Sequence, residues 1–315
     1  MTPHVALGPG REFAAIGRWL ALLGRHASGI GDDAAVLPPF DGALVVSTDA
    51  SVEHVHFERA WMSPSDIGWR ATMAALSDLA AMGASPIGLL VAVAAPASWD
   101  PELDGVMQGV AEACEAARTK VVGGDTTRGP VLMLTVTVLG RAARPLRRDG
   151  AVAGDHVYVS GALGGPGAAL SAWLAGRTPR PVHRARFLRP AARLGLGTWC
   201  TANGATAAID LSDGLSGDLA HLAVASGVVC DVDLAAIPCC DGVDALAAVA
   251  SGEEYELVVT GPPGLDRLSA SGRQGALVTI GRVRAPARGE KPGVRFLRDG
   301  TRVDPPAGHD HLSPP

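Results

Sequence analysis

Short apolar runs alternate with longer helical segments along most of this chain, and several runs stop at an acidic residue or a glycine. That alternation restricts the fold more than any other feature, because strands interleaved with helices must be layered as α/β or α+β domains. The runs are ALVVST (43–48, ending at Asp49), LLVAVAA (89–95), VVGGDTT (121–127, running into a loop), VLMLTVTVLG (131–140) and HVYVSG (156–161). Helical periodicity covers 11–26, with Phe13, Ile16, Leu20 and Leu23 on one face, then 64–82 and 101–118. Ser63 or Ser65 can cap the second of these, and Gly83 fits its C-terminal end. Further on, GALGGPGAAL (161–170) leads into a helix, 176–186 is polar, 188–203 is helical, and 208–227 starts as a strand and becomes a helix. The Arg-, Gly- and Pro-rich stretch 141–155 reads as a linker between a domain at 1–140 and a second at 156–315.

Length allows one large domain or two ordinary ones. The chain has 315 residues, 47% of them apolar, enough for a sizeable core. Aromatics are only 4%, so the core is Ala, Val and Leu, whose small side chains let elements approach closely. The formal charge of −5 argues against a nucleic-acid binder. Five cysteines with no C-x-x-C spacing point away from zinc or a disulfide framework and toward a reducing cytoplasm. No run approaches the ~20 apolar residues of a membrane span, and the N-terminus does not read as a secretory signal.

Five segments place acidic or hydroxyl residues at strand ends or in glycine turns: GDDAA (31–35), STD (47–49), SDLAAMGA (77–84), GGDTT (123–127) and DLSDG (210–214). Magnesium is a hard ion that takes oxygen ligands, usually one or two carboxylates with waters and phosphate oxygens. Gathering aspartates without nearby lysines is costly unless a cation neutralises them. Lys120 and Lys291 are the only lysines, and neither lies in these segments. Asp78 is the most telling, since it sits in an apolar helix one turn from Ala74 and Met82 and should face the packed side, where a carboxylate needs partners. Neither a P-loop nor the protein-kinase motif set occurs. GALGGPG reads as a strand–helix turn rather than a phosphate cradle.

In their order, GIGDDAAVL, VVSTDASVEHVHF, ATMAALSDLAAMGASP, VVGGDTTRGP, AIDLSDGLSGDLAHLA and SGEEYEL resemble the thiamine-monophosphate kinase family, from about residue 10 to residue 312. This family belongs to an ATP-dependent superfamily with aminoimidazole ribonucleotide synthetase and selenophosphate synthetase. The resemblance implies a two-domain aminoimidazole ribonucleotide synthetase-like α/β (α+β) fold, its N-terminal domain pairing in a homodimer beside a C-terminal α/β domain. It also implies transfer of the ATP γ-phosphoryl group to thiamine monophosphate, with several Mg²⁺ ions and no general base. The positions matching the family's magnesium ligands are Asp33, Ser47, Thr48, Asp49, Asp78, Asp125, Asp210 and Asp213, with Asp32 adjacent. Gly124, Asp125, Arg148 and Ser212 match nucleotide contacts, and His56 and Glu253 match substrate contacts. His54, two residues from His56, would share its face if the segment were a strand.

The chain departs from the family pattern at three places. Glu254 stands where the family has Asp, His309 stands where an aromatic stacks on the substrate, and 116–119 lacks a Tyr found at the nucleotide. Two alternatives accompany the kinase reading: another ATP-dependent enzyme of the superfamily, or a catalytically silent nucleotide-binding dimer. The first Cys, Cys114, lies far from a selenophosphate synthetase position, and the chain ends in Ser-Pro-Pro rather than the Cys of a hydrogenase maturation enzyme.

Overall fold

The computed structural model describes residues 11–27, 37, 39–270 and 276–304. The chain divides into two compact units, Met1–Leu79 with Ser85–Ala143 and Ala80–Ala84 with Arg144–Pro315. Both are mixed α/β, the fold class expected from the alternation of elements.

In the first unit the elements run α1 (Arg11–Leu23), β1 (Ala43–Val52), α2 (Pro64–Ala81), β2 (Ser85–Ala95), α3 (Leu103–Ala117), β3 (Val121–Arg128) and β4 (Met133–Ala142). Its sheet has the order β1-β4-β2-β3, with β2 and β3 parallel and the other pairs antiparallel. Alternation sets the two faces: Leu134, Val136 and Val138 of β4 are buried, while Met133, Thr135 and Thr137 are not. The strand register places Leu44, Val46 and Thr48 of β1 on the same face as Thr137 and Met133 of β4, and this face is open: Leu44 is 51% and Val46 54% exposed. Small residues allow α2 and α3 to cross closely. A Cβ on Gly68 would stand 1.9 Å from the Val106 carbonyl oxygen, and one on Gly109 2.0 Å from that of Ser65.

The second unit contains β5 (His156–Val159), α4 (Gly165–Leu174), α5 (Pro181–Leu188), α6 (Leu194–Ala202), β6 (Ala207–Asp210), α7 (Leu215–Ser226), β7 (Val229–Asp233), α8 (Ala245–Ala250), β8 (Leu257–Gly261), α9 (Leu265–Ala270), β9 (Val278–Arg284), β10 (Gly293–Arg298) and β11 (Thr301–Val303). Its sheet order is β11-β10-β7-β9-β5-β8-β6. Successive residues of β5 and β8 feed opposite cores. Val157, Val159 and Val258 pack with Leu215, Leu219 and Leu222 of α7, whereas Tyr158, Leu257 and Val259 pack with Leu196 and Cys200 of α6. The sheet is therefore covered on both faces. Residues 144–155 are grouped with this unit, and Leu146 and Ala151 are buried there.

Several expected boundaries move. β1 continues to Val52, so Asp49 lies inside a strand rather than at its end, and β3 continues through Asp125 to Arg128. The polar stretch 176–186 contains most of α5, and the helix expected over 188–203 starts at Leu194. No described helix is long and apolar enough to cross a membrane. All five cysteines are free, and burial pushes the Cys114, Cys200 and Cys230 thiols up to about 12.

Candidate active site

In the first unit the pleat separates Ser47 and Asp49 from Thr48. Ser47 Oγ donates to Asp78 Oδ2 at 2.5 Å, tying β1 to α2. Asp78 is half-buried rather than fully packed, and Asp49 is half-buried two residues beyond Ser47, on the same face of β1. Thr48 points to the open face, where its Oγ1 lies 2.9 Å from Thr137 Oγ1. Asp125 is exposed, pairs in register with Ala92, and occupies β3, at the far edge of the sheet from β1. Three strand spacings, roughly 14 Å, separate those edges. Ser47 and Asp78 thus come together, Asp49 shares the Ser47 face of β1, and Asp125 stands at the opposite edge of the sheet from β1. Gly124 is fixed by closeness: a Cβ there would meet the Val91 carbonyl oxygen at 2.0 Å.

His56 and His54 sit in a turn after β1, not on a strand. The Val52 N–H donates to His56 Nδ1 at 3.2 Å and the His56 N–H donates to Val52 O at 2.9 Å. A neutral His56 ring therefore carries its proton on Nε2. His54 adopts a left-handed φ of 69° and pairs with Glu58, so the two rings do not share a strand face. Glu53, which the motifs did not single out, anchors this turn. It is buried, and its Oε2 accepts from Trp99 Nε1 at 2.9 Å and from the Leu132 N–H at 3.1 Å.

In the second unit Asp210 closes β6 and is buried. The following Leu-Ser-Asp loop is stitched to the Gly-Glu-Glu-Tyr-Glu segment: Leu211 N–H donates to Glu256 O at 2.8 Å, Glu253 N–H to Ser212 O at 2.6 Å, and Tyr255 N–H to Leu211 O at 2.9 Å. Ser212, Asp213 and Glu253 are thereby neighbours. Asp218, on the first turn of α7, shapes the loop from below, and nothing in its sequence context marks it. Its Oδ2 accepts the N–H groups of Asp213 at 3.1 Å and Gly214 at 3.0 Å. Burial, then the charge of Asp213, push its carboxyl up to about 7, while those amides and the charge of Arg148 act the other way. Arg148 is exposed, and its carbonyl accepts from Ser226 Oγ at 2.7 Å.

The glycine-rich loop holds the protein's own acids. Gly164 N–H donates to Glu254 Oε1 at 2.5 Å, and Gly167 N–H to Ser251 Oγ at 3.0 Å. A Cβ on Gly161 would strike the Glu256 carboxylate at 2.5 Å. Glu254, the longer acid at the family's Asp position, reaches both Gly164 and Ser251 Oγ, the latter at 2.6 Å. Burial pushes its carboxyl up to about 7, against the hydrogen bonds of Ser251 and Gly164 and the charge of Arg186. Burial works on Glu256 in the same sense, but the hydrogen bonds and charge of Arg193, then Ser160 and Arg186, hold it below the usual range.

A titration prediction follows for Glu254. Its folded-state pKa, about 7, lies above its ordinary 4.5, so the folded chain keeps a proton that the unfolded chain releases. This stabilisation is full below about 4.5 and disappears as pH rises through about 7. Glu254→Gln is expected to flatten that slope, which amounts to on the order of 3 kcal/mol. Denaturant unfolding of both proteins at intervals between pH 5 and 8 checks it, and parallel slopes would refute it.

Among the described residues no three His, Cys, Asp or Glu side chains cluster as a ready-made metal cage. Ser47, Asp49 and Asp78 offer oxygen donors only, with two carboxylates, a set that suits a hard divalent cation completing its shell with water and phosphate. Asp33 and His309, and Asp32 with them, lie outside the described residues.

The family pattern described as AIR synthase related protein, N-terminal domain, matches residues 31–142, and its C-terminal domain counterpart matches 152–291. The thiamine-monophosphate kinase of Salmonella typhimurium strain LT2 is 37% identical over 312 residues, covering 91% of this chain and 93% of that protein. The crystal structure of thiamine-monophosphate kinase from Stenotrophomonas maltophilia K279a superposes with a TM-score of 0.79 at 36% identity, covering 93% of this chain and 98% of that one. The structure of AaThiL complexed with AMPPCP and TMP superposes at 0.75 with 30% identity, covering 96% and 97%. With similarity spanning both units and nearly the full length of these relatives, the chain belongs to the thiamine-monophosphate kinase family.

Proposed function

We propose that this protein transfers the γ-phosphoryl group of ATP to thiamine monophosphate, giving thiamine diphosphate and ADP. The observation that carries this reading is the end-to-end similarity to AaThiL, whose structure holds AMPPCP, an ATP analogue, together with TMP. The chemistry of the residues supports it. The acceptor is a phosphate oxygen already ionised near neutral pH, so the protein needs to position two anions and offset their charge rather than abstract a proton.

In this reading Ser47, Thr48, Asp49, Asp78, Asp125, Asp210 and Asp213, with Asp33, hold Mg²⁺. When bound, Mg²⁺ offsets the phosphate charge and polarises the transferred group. Asp78 and Ser47 hold each other in place through their hydrogen bond. Gly124 and Asp125 meet the nucleotide with Ser212, and Arg148 adds a cation beside the Asp213 loop. His56 and Glu253 orient thiamine monophosphate, with His309 in the place of the family's aromatic.

A homodimer completes the proposal. The open sheet face, with Leu44 and Val46 exposed, supplies an apolar surface for a second copy. Asp49 and Asp125 lie at opposite sheet edges, and a two-fold axis running along the strands between two such faces would bring the β1 edge of one copy beside the β3 edge of the other. A cytoplasmic location suits an enzyme that consumes ATP.

The test is chromatographic detection of product from purified protein with ATP, Mg²⁺ and thiamine monophosphate. Thiamine diphosphate and ADP are expected in equal amounts, and chelation of Mg²⁺ stops both. A folded, ATP-binding protein that makes no thiamine diphosphate would sink the assignment.

A further inference from the structure

The Glu253 turn is built from unfavourable backbone. Glu253 has φ 63° and Tyr255 φ 52°, left-handed values that non-glycine residues adopt only when their surroundings impose them. Glu254 and Glu256 are 4% and 2% exposed, while Glu253 is half-buried and its Oε2 accepts a hydrogen bond from Tyr255 Oη. A buried acid is costly to ionise unless a cation stands beside it. Among the described residues Arg193 serves only Glu256, through Nε at 2.7 Å and Nη2 at 2.5 Å. Arg186, on α5, serves both: its Nη2 lies 3.2 Å from Glu254 Oε2 and 2.9 Å from Glu256 Oε1.

We propose that Arg186 is a positioning residue for the acceptor, fixing the strained turn that presents Glu253 by bridging Glu254 and Glu256. Arg186 is the one side chain that ion-pairs with Glu254 among the described residues, so its removal leaves a buried acid with no cation. The turn then relaxes toward ordinary backbone angles, and Glu253 swings away from the Ser212 carbonyl that its N–H contacts. Arg186 itself touches no reacting atom. The inference rests on the reading of Glu253 as an acceptor contact, and its test has an arm independent of that reading.

Arg186→Met, Arg186→Lys and the double variant Arg186→Met with Glu254→Gln are compared with wild type. Arg186→Met is expected to raise the KM for thiamine monophosphate by about 10-fold or more, with the KM for ATP held within about 2-fold. Amide hydrogen exchange at Glu253 and Tyr255 is expected to quicken while core amides keep their protection. The double variant, which removes Arg186 and the acid it pairs with together, is expected to recover much of both effects, because no buried acid is then left without its partner. An Arg186→Met protein with unchanged acceptor KM and unchanged exchange at the two amides overturns the proposal. Equal loss toward ATP and acceptor overturns it too, as that marks general destabilisation. Should Arg186→Met fail to fold, Arg186→Lys, which keeps the charge without the planar fork, and the double variant carry the same comparisons. A wild type that does not bind thiamine monophosphate sinks the proposed function alone, and the exchange arm still decides the role of Arg186.

Discussion

An Asp78→Asn variant is expected to lose at least about a hundred-fold in kcat/KM, and to need higher Mg²⁺ for what activity remains. The substitution isolates charge from shape. Asn keeps an oxygen that accepts from Ser47 Oγ, the bond observed at 2.5 Å, and it occupies the same volume on α2. What disappears is one negative charge at a half-buried position joined to β1 through Ser47. A hundred-fold effect asks about 3 kcal/mol of that charge, a moderate demand for a carboxylate facing a divalent ion where water is partly excluded. The thermal midpoint without metal should stay within a few degrees of wild type. Steady-state rates across a Mg²⁺ titration check the prediction. Activity within ten-fold of wild type at every Mg²⁺ concentration would remove Asp78 from the metal set.

Gly124→Ala is expected to act through the backbone. The new Cβ would lie 2.0 Å from the Val91 carbonyl oxygen, an approach that no side-chain rotation relieves, because both atoms belong to paired strands. β2 and β3 must part, carrying Asp125 with them. The cost should be about 3 kcal/mol or more, roughly 10 °C in the melting midpoint, with a higher KM for ATP in whatever folds. Gly123→Ala is the control. Its Cβ would meet only Leu90 Cδ2, at 2.9 Å, the end of a side chain that can turn aside. Calorimetry on the pair decides the matter, since equal midpoints would show that the sheet absorbs the extra methyl.

The strands of the first unit were legible because each is an apolar run long enough to stand out, as VLMLTVTVLG does. Their ends were less so. STD resembles a strand stop, yet ladder pairing with β4 carries β1 past Asp49 to Val52. α5 hid in a segment that looked polar because His183, Arg184 and Arg186 interrupt it, and two of those three are needed inside: His183 is buried and Arg186 neutralises buried acids. After residue 227 β7, β9, β10 and β11 are short and mix charged with apolar residues, as VTIGRVR does, and β8 is an uncharged run of only five residues, LVVTG, so their neighbours define them. The candidate site divides in the same way. The carboxylates announced themselves by glycine-flanked spacing, and the partner of Asp78 was implied by the cost of burying it, though not that it would be Ser47. Asp218 and Glu53 gave no local signal, because what each does is accept backbone N–H groups from a loop or strand brought to it by the fold.

The acids seated in the glycine-rich loop bear on how such loops are interpreted. Backbone amides at Gly164 and Gly167 are oriented as they would be for an anionic guest, but Glu254 and Ser251 are tethered beside them by the chain itself. A tethered group competes at an effective concentration near the millimolar range or above, whatever the concentration of nucleotide. A free phosphate at these two amides would have to displace an internal competitor that is never diluted, so a glycine-rich loop can be spoken for by the protein's own side chains rather than by a nucleotide.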